Sequence, residues 1–120
     1  MSKIIKIEII ARPKNYEELI EALNDIGITG MTVTQVMGRG NQKGFPHSYR
    51  GIHYVTKLIP KVKIEIIVGK EFKDLIVNKS KEVLKTGSPG DGKIFIYDIA
   101  DVIRIRDDQE GRYALMNPST

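Results

Sequence analysis

Isoleucine and valine alternate with charged residues in two segments of the chain, and this period of two predicts β-strands. In residues 3–11 and again in residues 61–68, branched apolar side chains occupy one face and lysine or glutamate the other. Residues 28–37 are rich in β-branched side chains, which also favours a strand. A fourth, long strand is predicted over residues 93–106, with a bend near Asp98.

Two segments between these strands carry apolar residues three or four positions apart, the spacing of an amphipathic helix. Residues 15–26 predict the first helix, with Asn15 as N-cap, Glu18 as its capping-box partner and Gly27 as the C-terminal stop. Residues 71–85 predict the second helix. The element order is therefore β-α-β-β-α-β, which predicts an α+β, ferredoxin-like sandwich: one antiparallel sheet with two helices on one face.

Composition narrows the class of protein. A length of 120 residues predicts a single domain, residues 1–120. No apolar run approaches a membrane span or a signal peptide, so we expect a soluble, cytoplasmic protein. With no cysteine and only two histidines, disulfides, cysteine ligands and a histidine metal cage are excluded. The net charge of +4 is spread along the chain, so nucleic-acid binding is not indicated, although a local basic pocket for small anions is compatible with it.

One segment, residues 38–60, is too long for a simple hairpin connection. It contains four glycines and two prolines, together with aromatic and basic side chains such as Tyr49 and Arg50. A disordered insertion is one interpretation. A partner-contacting or ligand-gated arm is the other, and we favour it because aromatics with arginine are typical of interfaces.

The segment from Thr86 to Phe95 combines three glycines, a proline and a lysine ahead of an apolar run. Glycines let backbone N–H groups approach an anion closely, and a lysine adds a point charge for phosphate. An ordinary tight turn is the alternative, since neither the Walker A nor the GxGxxG motif is present.

A pair of arginines, Arg104 and Arg106, would share one face of the predicted fourth strand. Two adjacent guanidinium groups suit a polyphosphate. The alternative is a solvated strand edge in which they pair with Asp107 or Asp108. Taken with the glycine-rich segment, the anion interpretation is favoured. No serine, histidine and carboxylate arrangement indicates catalysis, so we do not expect an enzyme.

At these residues the chain resembles the PII nitrogen-regulatory signal-transduction proteins, of the ammonium-transporter-associated type. The resemblance runs from about residue 3 to residue 106. Its motifs are Thr86-Gly87-x-x-Gly90-Asp91-Gly92-Lys93-Ile94-Phe95 with Ile103-Arg104-Ile105-Arg106, Gly30-Met31-Thr32-Val33-Thr34, Gln42-Lys43-Gly44, Tyr49-Arg50-Gly51-x-x-Tyr54 and Pro60-Lys61-Val62-Lys63.

The resemblance implies a homotrimer that binds ATP or ADP in clefts between neighbouring subunits. The residues it assigns to the nucleotide are Thr32, Gly38, Gly87, Gly90, Asp91, Gly92, Lys93, Arg104 and Arg106, with Thr32 contacting adenine from the neighbouring subunit. It also implies 2-oxoglutarate as an effector, bound through Mg²⁺ that the ATP phosphates and Gln42 hold, with Lys61 pairing with the effector's carboxylate.

The resemblance also assigns the loops. The T-loop spans about residues 38–60 and the phosphate-binding B-loop about residues 86–93. The polar and weakly patterned sequence of residues 107–120 separately predicts a flexible tail. The resemblance implies an ammonium transporter, and possibly nitrogen-assimilation enzymes, as partners contacted through Tyr49 and Arg50, and Tyr54 as a possible uridylylation site.

The chain departs from many relatives at Asn41, where they carry arginine, and at His53, where an acidic residue is common. The alternative functions are a PII-like trimer that senses another small effector, or one with weak ATPase activity. Nucleic-acid binding is disfavoured because the sheet is expected to lack the paired aromatics that stack bases.

Overall fold

The computed structural model describes residues 3–39 and 58–116. The strands and α-helices of these residues are β1 (Ile4–Ala11), α1 (Tyr16–Asp25), β2 (Thr32–Arg39), β3 (Leu58–Gly69), α2 (Lys73–Leu84) and β4 (Lys93–Ile99). Short 3-10 turns at Pro13–Asn15 and Lys70–Phe72 lead into the two α-helices, and a third turn follows at Gly111–Leu115.

The four strands form one sheet in the order β2-β3-β1-β4, and every neighbouring pair is antiparallel. This order and the β-α-β-β-α-β sequence of elements confirm the ferredoxin-like, α+β prediction. β1 lies between β3 and β4, and its residue Ile10 is paired with Lys63 on one side and Lys93 on the other. The start of β1, Ile4, is paired with Ile99, the last residue of β4.

One face of the sheet packs against both helices and forms the core. Its isoleucines on the two central strands are fully buried, as are the helix leucines that meet them; the core includes Ile5, Ile7, Ile9, Ile64, Ile66, Leu19, Leu23 and Ile76. The alternate residues of each strand point to the opposite side, which neither helix covers. We call this side the open face; it carries Lys6, Glu8, Phe95 and Tyr97.

The ends of α1 show where the sequence pattern was right and where it was wrong. The Asn15 side chain makes no capping hydrogen bond, so the predicted capping box is wrong. The 3-10 turn before the helix gives Asn15 a helical backbone, whereas an N-cap residue is usually extended. Gly27 is confirmed as the stop: its φ is +91°, and the N–H of Ile28 donates to the carbonyl of Leu23 over 2.9 Å.

The boundaries of β2 and β3 differ from the prediction. β2 begins at Thr32 rather than at residue 28, because Ile28 is 8% exposed and packs into the core instead. β2 continues into the segment 38–60 as far as Arg39, and β3 begins within that segment at Leu58. Residues 40–57 lie outside the described residues.

The long strand predicted over residues 93–106 is wrong beyond Ile99. β4 ends there, at the residue that pairs with Ile4, the first residue of β1. The chain instead turns back on itself, with an isolated bridge between Ile103 and Glu110. The predicted tail from residue 107 thus begins inside a turn, and its backbone forms the short helix at Gly111–Leu115.

Candidate functional site

The B-loop, residues 86–93, connects α2 to β4 and is organised by the carboxylate of Asp91. Asp91 accepts hydrogen bonds from the backbone N–H of Thr86 over 2.8 Å, from the hydroxyl of Thr86 and from the backbone N–H of Gly87 over 2.9 Å. These bonds, led by the Thr86 hydroxyl, hold the pKa of Asp91 well below its usual range. The carboxylate therefore stays ionised and fixes the first half of the loop.

Arg12, directly after β1, ties the B-loop to the sheet. Its guanidinium donates to Asp91 over 2.9 Å and to the carbonyl of Pro89 over 3.0 Å. Sequence analysis missed this residue, because the contact depends on the β1–β4 pairing that brings the end of β1 beside the loop. Arg12 neutralises Asp91, so the loop does not present an uncompensated negative charge.

Gly92 is the position where the loop requires glycine. Its φ is +105°, and an added Cβ would lie 1.9 Å from the carbonyl oxygen of Ile10. The backbone N–H groups of Gly90 and Gly92 donate to no acceptor among the described residues. A loop whose N–H groups are left for an external acceptor suits an anion such as phosphate.

Three lysines of the open face lie at the end of the sheet where the B-loop joins β4. Lys93 and Lys63 both pair with Ile10, so two strand spacings, about 10 Å, separate their Cα atoms. Lys61 lies on the same face, and its stem packs over Gly38, where an added Cβ would lie 3.2 Å from the lysine Cγ. This end of the sheet therefore combines backbone donors with positive charge, next to the ends of β2 and β3.

The two arginines do not form the pair that the sequence predicts. Arg104 and Arg106 lie outside any strand, so the prediction that they share a strand face is wrong. Arg104 Nε and Nη2 donate to the two carboxylate oxygens of Asp107 over 2.9 and 2.7 Å. Arg106 Nη2 is 3.9 Å from the same carboxylate. The ion pair with Asp107 that the alternative interpretation predicts is present, although not on a strand edge, and phosphate binding by the two arginines stays a prediction.

Arg104 and Lys93 lie at opposite ends of the sheet. Lys93 and Ile99 bound β4, and six residues of strand span about 20 Å. Arg104 follows Ile99 and donates to the carbonyl oxygen of Met116 over 2.6 Å. One copy of the chain therefore cannot bring Lys93 and Arg104 to the same phosphate group.

A cavity of about 710 Å³ lies on the Arg104 side of the molecule. Thr32, Glu65 and Ile67 line it from β2 and β3, and Arg112 and Met116 line it from the C-terminal segment. This volume is in the range of small-molecule sites. The predicted adenine residue Thr32 thus lies beside the cavity near Arg104, and not beside the B-loop.

Comparison with known proteins identifies the family. The model of the family "Nitrogen regulatory protein P-II" matches residues 4–109. The chain belongs to this family. It is 48% identical over 110 residues to the nitrogen regulatory protein P-II of Pasteurella multocida, an alignment that covers 92% of this chain and 98% of that protein. The resemblance inferred from the motifs is confirmed.

Solved P-II structures share the fold. The complex of Bacillus subtilis GlnK with ATP aligns with a TM-score of 0.75 at 42% identity, covering 92% of this chain and 96% of that one. Arabidopsis thaliana PII bound to citrate aligns with a TM-score of 0.74 at 37% identity, covering 94% and 90%. A nucleotide and a polycarboxylate are thus the ligands of two structural relatives.

Four residues to which the P-II resemblance assigns roles lie outside the described residues: Gln42, Tyr49, Arg50 and Tyr54. Their assignments remain predictions. Within residues 3–39 and 58–116, no helix is long and apolar enough to cross a membrane. The same residues contain no cluster of three or more histidine or acidic side chains that could hold a metal ion.

The open face carries a pair of aromatics that the sequence analysis did not foresee. Phe95 and Tyr97 lie two residues apart on β4 and are 40% and 43% exposed, so the expectation of a sheet without paired aromatics is wrong. Lys6 Nζ lies 4.4 Å from the centroid of the Tyr97 ring and also contacts Glu65 over 3.2 Å. One face of the Tyr97 ring is thereby occupied, which leaves it less available for base stacking.

Proposed function

We propose that this protein is a nitrogen-metabolism signal-transduction protein that binds ATP or ADP between two copies of the chain. The observation that carries the proposal is the separation of two half-sites: the B-loop with Lys93 at one end of the sheet, and Arg104 beside the Thr32 cavity at the other. Each half-site lacks what the other has, and a neighbouring copy supplies it.

In this site the B-loop of one copy binds the phosphates. The N–H groups of Gly90 and Gly92 and the ammonium of Lys93 donate to phosphate oxygens, while Gly38 and Gly87 let the backbone approach. Asp91 acts by fixing the loop. The neighbouring copy contributes Arg104 and Arg106 to the phosphates and Thr32 to the adenine. The ATP complex of Bacillus subtilis GlnK, a structural relative, supports this ligand class.

We propose a homotrimer as the assembly. The half-exposed Phe95 and Tyr97 leave apolar surface on the open face, and packing against other copies would bury it. Closed rings form when a heterologous contact repeats with rotation, and such a contact brings one end of each subunit against the other end of its neighbour. That arrangement completes every half-site.

For the effector, we propose 2-oxoglutarate bound together with Mg²⁺ and ATP. The described residues provide no acidic cage, which fits a magnesium ion that ATP phosphates hold and that Gln42 completes. Lys61 lies at the base of the T-loop on the same side as Lys93, where its ammonium can pair with the distal carboxylate. The citrate complex of Arabidopsis PII supports a carboxylate ligand in this fold.

The output of the sensor is regulation of partner proteins and not catalysis. We propose that the T-loop contacts an ammonium transporter through Tyr49 and Arg50, with nitrogen-assimilation enzymes as further candidate partners, and that Tyr54 is a candidate for uridylylation. Because ATP, ADP and 2-oxoglutarate are metabolites of the cytoplasm, we place the protein there, in contact with the membrane only through its channel partner.

Calorimetry on the purified full chain tests the proposal. ATP and ADP should each bind with a dissociation constant in the micromolar range or below, about −8 kcal/mol. 2-Oxoglutarate should bind only with Mg-ATP, and a short oligonucleotide should not bind. Nucleotide binding without any response to 2-oxoglutarate would favour another effector, phosphate release would favour an ATPase, and failure of both nucleotides to bind would overturn the proposal.

A further inference from the structure

Asp107 occupies Arg104 in the way that a phosphate group would. The two carboxylate oxygens of Asp107 accept from Nε and Nη2 of Arg104 at 2.9 and 2.7 Å, a bidentate geometry. Phosphate oxygens bind the same fork of donors. An arginine that donates both of these groups to a carboxylate cannot donate them to a ligand at the same time.

This ion pair is local and partly shielded, since the Asp107 side chain is 38% exposed. The partners are three positions apart in the chain, and a tight turn joins them: the N–H of Asp108 donates to the carbonyl of Arg104 over 2.9 Å, and the N–H of Gln109 donates to Asp107 over 3.2 Å. The Arg104 side chain is 13% exposed. The pair therefore forms without a partner molecule and with little backbone freedom to lose.

We propose that Asp107 is an internal competitor that holds Arg104 away from nucleotide phosphates until a sufficiently anionic ligand displaces it. The inference rests on the proposed nucleotide site. The sequence left two partners open for Arg104, a phosphate group or Asp107. In this proposal Asp107 is the partner in the ligand-free state, and a phosphate group is the partner in the bound state.

The competition reaches the C-terminal segment. The third donor of Arg104, Nη1, binds the carbonyl oxygen of Met116, and Met116 lines the cavity beside Thr32. A ligand that displaces Asp107 therefore binds an arginine whose Nη1 group holds Met116. Ligand exchange at Arg104 thus takes place next to a residue that lines the cavity beside Thr32.

The competition also predicts selectivity. Displacing a carboxylate from a guanidinium requires a ligand with comparable or greater negative charge, such as a di- or triphosphate. Adenosine has no phosphate and leaves the Arg104–Asp107 pair intact. Removing the charge of Asp107 should therefore strengthen the binding of ATP and ADP and leave the binding of adenosine unchanged.

The experiment measures ATP, ADP and adenosine binding to the full chain by calorimetry. Asp107→Asn keeps the shape and the hydrogen bond from Gln109 but removes the charge, and it should tighten ATP and ADP about three- to tenfold. Asp108→Asn is the matched control: it removes the same charge one residue away, and asparagine tolerates its φ of +61°. It should change binding less than twofold.

A double variant isolates the pair. In an Arg104→Gln background, Asp107→Asn should give a gain of less than twofold, because Asp107 then has only Arg106 nearby, at 3.9 Å. Equal gains from Asp107→Asn and Asp108→Asn, or a gain that is undiminished without Arg104, would overturn the inference. Binding of ATP to the natural chain with no change in Asp107→Asn would overturn it while leaving the proposed function standing. Absence of nucleotide binding in all variants would overturn both.

Discussion

The guanidinium of Arg12 bridges the Asp91 carboxylate, at 2.9 Å, and the Pro89 carbonyl, at 3.0 Å. Arg12 belongs to the end of β1, while Asp91 and Pro89 belong to the B-loop, so the bridge fixes the loop relative to the sheet. Because Asp91 also binds Thr86 and Gly87, one carboxylate connects the start of the loop to the sheet. The loop is thus held in shape before any ligand arrives.

Loss of this bridge should weaken nucleotide binding. Arg12→Gln removes the charge and the two hydrogen bonds to Asp91 and Pro89, so the loop must be ordered by the ligand, and ATP affinity should fall several-fold. Lys14→Gln, two residues away and exposed, makes the same charge change and serves as the control. The ATP affinities are measured by calorimetry. Equal affinities in the two variants would show that Arg12 does not order the loop for nucleotide binding.

Replacement of Lys93 tests the phosphate role itself. Lys93→Ala should weaken ATP and ADP by about 1.5–3 kcal/mol, the typical cost of a lost charged hydrogen bond. Lys73→Ala, at the end of α2 away from the B-loop, should leave both affinities within about twofold. Unchanged ATP affinity in Lys93→Ala would show that the lysine does not touch phosphate.

A comparison of two glycines tests the close approach of the B-loop to β1. Gly87 and Gly92 both have positive φ, so alanine costs about 1–2 kcal/mol of unfolding free energy at either position. At Gly92 the new Cβ also meets the Ile10 carbonyl at 1.9 Å, whereas at Gly87 nothing lies within 4 Å. Urea unfolding should therefore show a larger loss for Gly92→Ala. Equal losses would contradict the contact.

Glu71 predicts a pH dependence of stability. Both guanidinium ends of Arg112 donate to the Glu71 carboxylate, and this hydrogen bonding lowers the pKa of Glu71 to about 2. In the unfolded chain a glutamate has a pKa of ~4.3, so between pH ~4.3 and about 2 the unfolded chain binds more protons than the folded one, and stability rises with pH. The stabilising contribution of Glu71 is complete above pH ~4.3 and is lost as the pH falls through about 2.

Thermal unfolding between pH 2 and pH 6 measures this contribution. Glu71→Gln should be less stable than the natural chain at pH 6, and the difference should shrink as the pH falls. Glu110→Gln, for which no comparable ion pair is seen among the described residues, is the control and should follow the natural chain. A stability difference that is independent of pH would show that packing, and not the charge of Glu71, matters there.

The sequence predicted the architecture because its core is strongly periodic. Ile5, Ile7 and Ile9 specify both the strand and its buried face, and Gly27 ends a helix that the apolar spacing already defines. The end of β4 could not be predicted from residues 100–106, because it depends on the pairing with the start of β1.

The glycine-rich loop was predicted from its own residues, while its phosphate role and that of Lys93 stay predictions. The bridge from Arg12 could not be predicted from local sequence, because it depends on the strand register. The local sequence left two partners open for Arg104, a phosphate or Asp107, since both use the same donors. Only the fold reveals that Arg104 and Lys93 are too far apart to serve one ligand within one chain.

The central claim is that two copies of the chain build each nucleotide site, and mixed assemblies test it most directly. Lys93→Ala and Arg104→Ala chains should each form homotrimers that bind ATP poorly. Unfolding the two together and refolding them as mixed trimers should restore tight binding at about a quarter of the sites, where the intact B-loop of one copy meets the intact Arg104 of its neighbour.

Titration of the refolded mixture with ATP gives the number of tight sites, and the control is the two homotrimers combined without unfolding. Tight sites in the refolded mixture alone are the result we predict, and an equal absence of tight sites in both samples would contradict the shared site.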